Sequence, residues 1–108
     1  MKYTTLKTAL DAMSLPKAYY RTVPDGTAVP FVIWKISGSD NFPADNRVYK
    51  KRQTIEIQLY TAYKDFAVNE ELEQTLDRLG VIWDYDEYDG ADEGVIIGIY
   101  TFQDFIDD

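Results

Sequence analysis

Residues 51–61, KRQTIEIQLYT, alternate with a period of two. Ile55, Ile57 and Leu59 point one way; Arg52, Thr54, Glu56, Gln58 and Tyr60 point the other. Successive side chains of an extended chain leave on opposite faces, so this pattern calls for a strand with one core face and one face that is wet or meets a partner. A second run, PFVIWKIS at 30–37, is nearly continuous in apolar, β-branched and aromatic residues. That composition predicts a strand largely covered on both faces. The segment between them, GSDNFPADNRVY at 38–49, is rich in Asp, Asn and Pro and reads as a long polar loop.

Around this pair the helical signals are clear. Leu6, Ala9, Leu10 and Met13 carry the i, i+3, i+4, i+7 spacing of one helical face and predict a helix over 5–13. Thr4 or Thr5 is placed to cap it, and Pro16 to stop it. Residues 16–28 read as turns, with Val23-Pro24-Asp25-Gly26 as the strongest signal. A second helix over 66–79 puts Val68, Leu72, Leu76 and Leu79 on one stripe, with Asp65 or Asn69 as N-cap and Gly80 just past its end. VIWDYDEY (81–88) and GVIIGIYTF (94–102) then read as a hairpin, followed by a short acidic tail expected to fray. The expected fold is a single α+β domain over 1–108 in the order α-β-β-α-β-β. Its four-stranded, mostly antiparallel sheet would carry both helices on one face.

Composition narrows the chemistry. The chain has 108 residues, 45% of them hydrophobic, enough for one packed core. Cysteine and histidine are both absent, which removes disulfides, thiolate zinc sites, Cys or His nucleophile systems and His general bases. No apolar run reaches 18 residues, and the N-terminal MKYTTLKTALDAM lacks the h-region of a secretory signal, so neither a membrane span nor such a signal is expected. A net charge of −8 argues against a dedicated nucleic-acid binder. It suits a conduit that a duplex slides through without sticking.

No motif supplies a catalytic set. Asp84, Asp86, Glu87, Asp89, Asp92 and Glu93 invite a calcium reading. Placing Gly90 at the invariant glycine of a calcium-binding EF-hand loop puts Tyr85 first and Ile96 last, where Asp and Glu are required. The register fails, and the run reads instead as a charged hairpin tip that discourages edge pairing, with an irregular cation site as the lesser alternative. Gly94 and Gly98 form no phosphate-binding pattern and are expected to mark close packing or a bulge. No cofactor, metal or catalytic residue is expected, and the chain is not read as an enzyme. Arg47, Lys50, Lys51 and Arg52 form the one basic cluster, which reads as a solvated strand entrance, a nucleic-acid contact or a partner contact. As a partner contact, set against the acidic run at 84–93, it gives one small domain two complementary charges; where these lie on opposite sides, copies can dock head to tail and close into a ring.

The run P-F-V-I-W, then S-D-N-F-P-A-D-N at Ser39–Asn46, then I-E-I-Q-L-Y-T and the E-E-L-E-Q-T-L helix, resembles a family of small tail-terminator proteins. These belong to long-tailed phages and prophages of Gram-positive bacteria and are also described as tail-completion, minor structural or head–tail joining proteins. The resemblance spans roughly residues 5–105. It implies an α+β fold and a ring, typically hexameric, that caps the tail tube and offers a docking face to the head–tail connector. It implies as partners further copies of the chain, the tail tube protein and the connector protein, with DNA passing through the channel unbound and no membrane. The implied location is the virion, at the head–tail junction, and the host cytoplasm during assembly. Rival readings are a head-completion protein at the same junction and an acidic inhibitor-like module that binds a protein by mimicking nucleic acid.

The residues expected to make contacts are Asp40, Asn41, Phe42, Asp45, Asn46, Arg47, Tyr49 and Lys50 in and after the polar loop. Arg52 and Tyr60 on the alternating strand and Asp86, Asp89 and Asp92 in the acidic run complete the set.

Overall fold

The computed structural model describes residues 1–13, 17–39, 52–90 and 94–105, and describes 42–44 and 47–50 through their backbone. Helix α1 (Tyr3–Asp11) leads to strands β1 (Lys17–Tyr20) and β2 (Phe31–Ser39). A small hairpin follows, β3 (Phe42–Ala44) and β4 (Arg47–Lys50). Next come β5 (Arg52–Thr61), helix α2 (Phe66–Arg78), β6 (Asp84–Gly90) and β7 (Val95–Phe105). The fold is α+β, but the sheet has five strands rather than the expected four, in the order β1-β2-β5-β7-β6. It is mixed: β1 runs parallel to β2, and every other neighbouring pair is antiparallel.

The strand missing from the sequence reading is β1. It has four residues, KAYY, too few to show a period. It forms because Tyr20 sets its ring edge-on to Trp34 at 4.6 Å and Ala18 packs against the core. The V-P-D-G signal beyond it is a turn: Gly26 sits at φ 80° and Thr27 N–H donates to the Pro24 carbonyl at 3.2 Å.

Residues paired across neighbouring strands share a face. Val32 and Trp34 of β2, Ile55, Ile57 and Leu59 of β5, and Tyr100 and Phe102 of β7 therefore line one side, and all are buried. Leu6 and Leu10 of α1 and Leu72 and Leu76 of α2 join the same cluster, each fully buried. Both helices thus cover one face of the sheet. Each such leucine contributes on the order of 1.5–3 kcal/mol by leaving water. The expectation that β2 is covered on both faces holds only at its start: Phe31, Val32 and Trp34 are buried, Ile33, Lys35 and Ile36 are half-buried, and Ser37–Ser39 are exposed.

The ends of α2 follow the sequence signals. Asp65 accepts from the Val68 N–H at 3.3 Å. Gly80 takes φ 76°, while Gly80 N–H donates to Asp77 and Val81 N–H to Leu76, which closes the last turn. Helix α1 starts earlier than expected, with Lys2 at its N-cap and no side-chain cap from Thr4 or Thr5. Tyr3 is thereby drawn into the helix and against the core. β7 also runs past the predicted 102 to Phe105, whose carbonyl accepts from the Met1 ammonium at 2.8 Å. β6 begins at Asp84 rather than at residue 81.

Candidate interaction surfaces

The helices leave the second face of the sheet bare. Cross-strand register arranges that face in rows. Across β2, β5, β7 and β6 one row reads Phe31, Tyr60, Ile97, Tyr88; the next Ile33, Gln58, Ile99, Asp86; the third Lys35, Glu56, Thr101, Asp84; β1 adds Lys17 beside Phe31 and Tyr19 beside Ile33. Over those four strands the first row is aromatic and aliphatic, with Phe31 already buried. Phe31 and Tyr60 stack with ring centroids 4.8 Å apart, and Tyr88 is 54% exposed. The middle of the face is tied by polar contacts. The Tyr60 hydroxyl donates to Gln58 at 2.9 Å, Gln58 donates to Glu56 at 2.5 Å, and Lys35 lies 3.6 Å from Glu56. Charge runs across the third row, from Lys35 on β2 to Asp84 on the edge strand β6.

The residues expected to make contacts fall on three surfaces rather than one. Arg52, Tyr60 and Asp86 stand on the bare face. Asp89 is exposed on the other side of β6, in line with Tyr85 and Glu87. Phe42, Arg47, Tyr49 and Lys50 belong to the β3–β4 hairpin. Asp40, Asn41, Asp45, Asn46 and Asp92 lie outside the described residues.

The hairpin corrects the reading of 38–49 as loop: Phe42 pairs with Lys50 and Ala44 with Arg47 in a separate two-stranded sheet. The radius of gyration is 14.9 Å, against about 13 Å for a compact chain of this length. The longest dimension is 50 Å, beside 27 and 24 Å.

Beside the start of β6, at the Arg52 end of β5, the sheet has a notch. β6 starts opposite Thr101, so β7 continues past it from Phe102 to Phe105. Arg52, Asp84, Asp104 and the Gly80–Ile82 backbone surround a cavity of about 510 Å³ there. Ile82 beside it is 92% exposed.

On the helix side, one polar cluster escaped the sequence reading. Lys64 donates to Glu87 at 2.8 Å and to the Tyr85 hydroxyl at 3.1 Å, and Tyr85 donates to Glu87 at 2.6 Å. Tyr85 packs on Tyr100 with centroids 4.7 Å apart. The Tyr100 hydroxyl accepts from Asn69 at 2.8 Å and donates to Glu73 at 2.5 Å. Burial works to lower the Lys64 pKa, but its bonds to Glu87 and Tyr85 outweigh this and the net shift is upward. The bond from Lys64, then that from Tyr85, holds Glu87 below its usual value. Burial raises Tyr85, and raises Tyr100 far above the usual tyrosine range. At neutral pH Lys64 stays charged, Glu87 ionised and both tyrosines protonated, so none of the four is poised to exchange a proton there. The cluster clamps β6 and β7 to the start of α2. Only strand register brings Lys64 to Glu87, so residue spacing carried no signal for it.

The acids of β6 divide between its two sides, Asp84 and Asp86 against Glu87 and Asp89. Among the described residues, no three acidic side chains gather as metal ligands. Among them, too, no helix is long and apolar enough to cross a membrane. No protein-family model and no curated protein matches the chain.

Proposed function

We propose that the chain is a virion assembly protein, a tail terminator that caps the tail tube of a long-tailed phage as a ring and forms the joint to the head connector. One observation supports this reading above others: the chain carries opposite charges on separate elements. The β3–β4 hairpin forms its own sheet, and the sequence runs through Arg47, Lys50, Lys51 and Arg52 at and just after its second strand. The edge strand β6 carries Asp84, Asp86, Glu87 and Asp89. A two-stranded hairpin alone is marginal in water, so a neighbour that completes it is favoured. Contact between unlike surfaces is heterologous, and it closes into a ring when the rotation allows. A ring face complementary to the last tube ring would bind it, while the opposite face would offer no site for another tube subunit.

The test is a phage lacking the gene. Electron micrographs showing overlong tails would support the terminator. Tails of normal length beside filled, unjoined heads would reassign the chain to the connector side of the junction. Normal virions would overturn both.

A further inference from the structure

The outer sheet face is distinct from the hairpin, although its edge acids Asp84 and Asp86 lie on the β6 strand that the ring reading also uses. We propose that two copies of the chain pair through this outer face, sheet to sheet, about a two-fold axis parallel to the strands. Such an axis reverses strand order while keeping the rows in register. The β2 side of one copy then lies over the β6 side of the other. Lys35 and Asp84 occupy one row at opposite ends, so they meet their opposites twice in the pair. The aromatic row is complementary to itself in the same arrangement: Phe31 and Tyr60 of one copy lie over Tyr88 and Ile97 of the other.

The occupant follows from the pattern of charge. A partner with one sign of charge would meet repulsion at one end of the third row, whereas a reversed copy meets attraction at both. Two sheets stacked in this way pack about 10 Å apart with their strands within about 30° of alignment. In the middle row the same axis sets Ile33 over Asp86 and Gln58 over Ile99, so the first and third rows carry the attraction. Four strands span about 19 Å, so the buried patch sits at the small end of stable interfaces. Pairing is therefore expected to depend on concentration.

The experiment is sedimentation equilibrium of the purified chain between about 1 and 200 µM, with circular dichroism to confirm folding. Wild type is expected to show a twofold mass step. Tyr88→Asp is expected to remove it, because Tyr88 is exposed at the edge of the sheet and can change without disturbing the core. Lys35→Glu and Asp84→Lys are each expected to weaken pairing at least tenfold, and the double variant to restore it. If a ring also forms, Tyr88→Asp halves the mass of the assembly, whereas Lys50→Glu with Arg52→Glu dismantles the ring and leaves pairs. A wild type monomeric at 200 µM, a Tyr88→Asp variant that still pairs, or a double variant no better than the singles would overturn the proposal.

Discussion

Tyr85 lies across Gly98. A Cβ added at Gly98 would stand 2.9 Å from the Tyr85 hydroxyl oxygen and 3.0 Å from its Cε1. The ring cannot move aside freely, because its hydroxyl is held by Lys64 and Glu87 and its face by Tyr100. Gly98 is thus the close-packing glycine expected from the sequence, while Gly94, at φ 64°, belongs to the turn before β7. Gly98→Ala is expected to cost about 1–3 kcal/mol, as overpacking in an ordered site does. Urea titration measures it. A variant within a few tenths of wild type would show that the tyrosine yields without loss.

Tyr100 is fully buried, and its hydroxyl serves Asn69 and Glu73 together. Tyr100→Phe keeps the ring but strands the Asn69 amide, itself nearly buried. The expected loss is about 1–3 kcal/mol, the cost of an unsatisfied buried donor. Adding Asn69→Leu should recover part of that loss, because both partners are then apolar. Denaturant midpoints of the single and double variants decide it, and a double variant no better than Tyr100→Phe would count against the orphaned-donor account.

The same cluster sets a pH window. Glu87 is lowered from 4.5, so its contribution is present above that value and is lost as pH falls through the folded value. Lys64 is raised from 10.5 and Tyr85 and Tyr100 from 10.0, so their contributions are present below those values and lost as pH rises. Stability should be flat between about pH 5 and 9, with an alkaline limb steeper than the acid one because three groups act there. Glu87 is largely exposed, so the acid limb is shallow and screened by salt. Melting temperature against pH tests this, and Tyr100→Phe should soften the alkaline limb. An unchanged alkaline limb in that variant would remove Tyr100 from the account.

The parts of the fold that were legible in the sequence are those whose signals lie within one element. The Ile55–Ile57–Leu59 alternation and the α2 stripe between Asp65 and Gly80 each carry their own period and caps. β1 was not legible, because its four residues borrow their order from β2. The β3–β4 hairpin was hidden by Pro43 and by a register shift beside it. Val81-Ile82-Trp83 has strand composition but other work. Val81 closes the end of α2, and Trp83 donates to Asp77 at 3.0 Å and packs on Tyr100. Alternation alone placed Tyr60 on the outer face of β5; Tyr88 joins it there only through the pairing of both with Ile97.

The ring contact makes its own prediction. If the basic hairpin region of one copy meets the acidic β6 of the next, Lys50→Glu with Arg52→Glu should weaken assembly, and more at low salt than at high. Exposed charges interact over about 10 Å at 0.1 M salt and about 3 Å at 1 M, so high salt should mute both the attraction and its reversal. Glu87 is already held by Lys64, which leaves Asp84, Asp86 and Asp89 as the acids to pair. A compensating Asp86→Lys with Asp89→Lys on the same chain should restore assembly. Light scattering across a salt series reads all three. Assembly indifferent to the first pair of substitutions at low salt would remove the hairpin from the contact and leave the ring to be built from other surfaces.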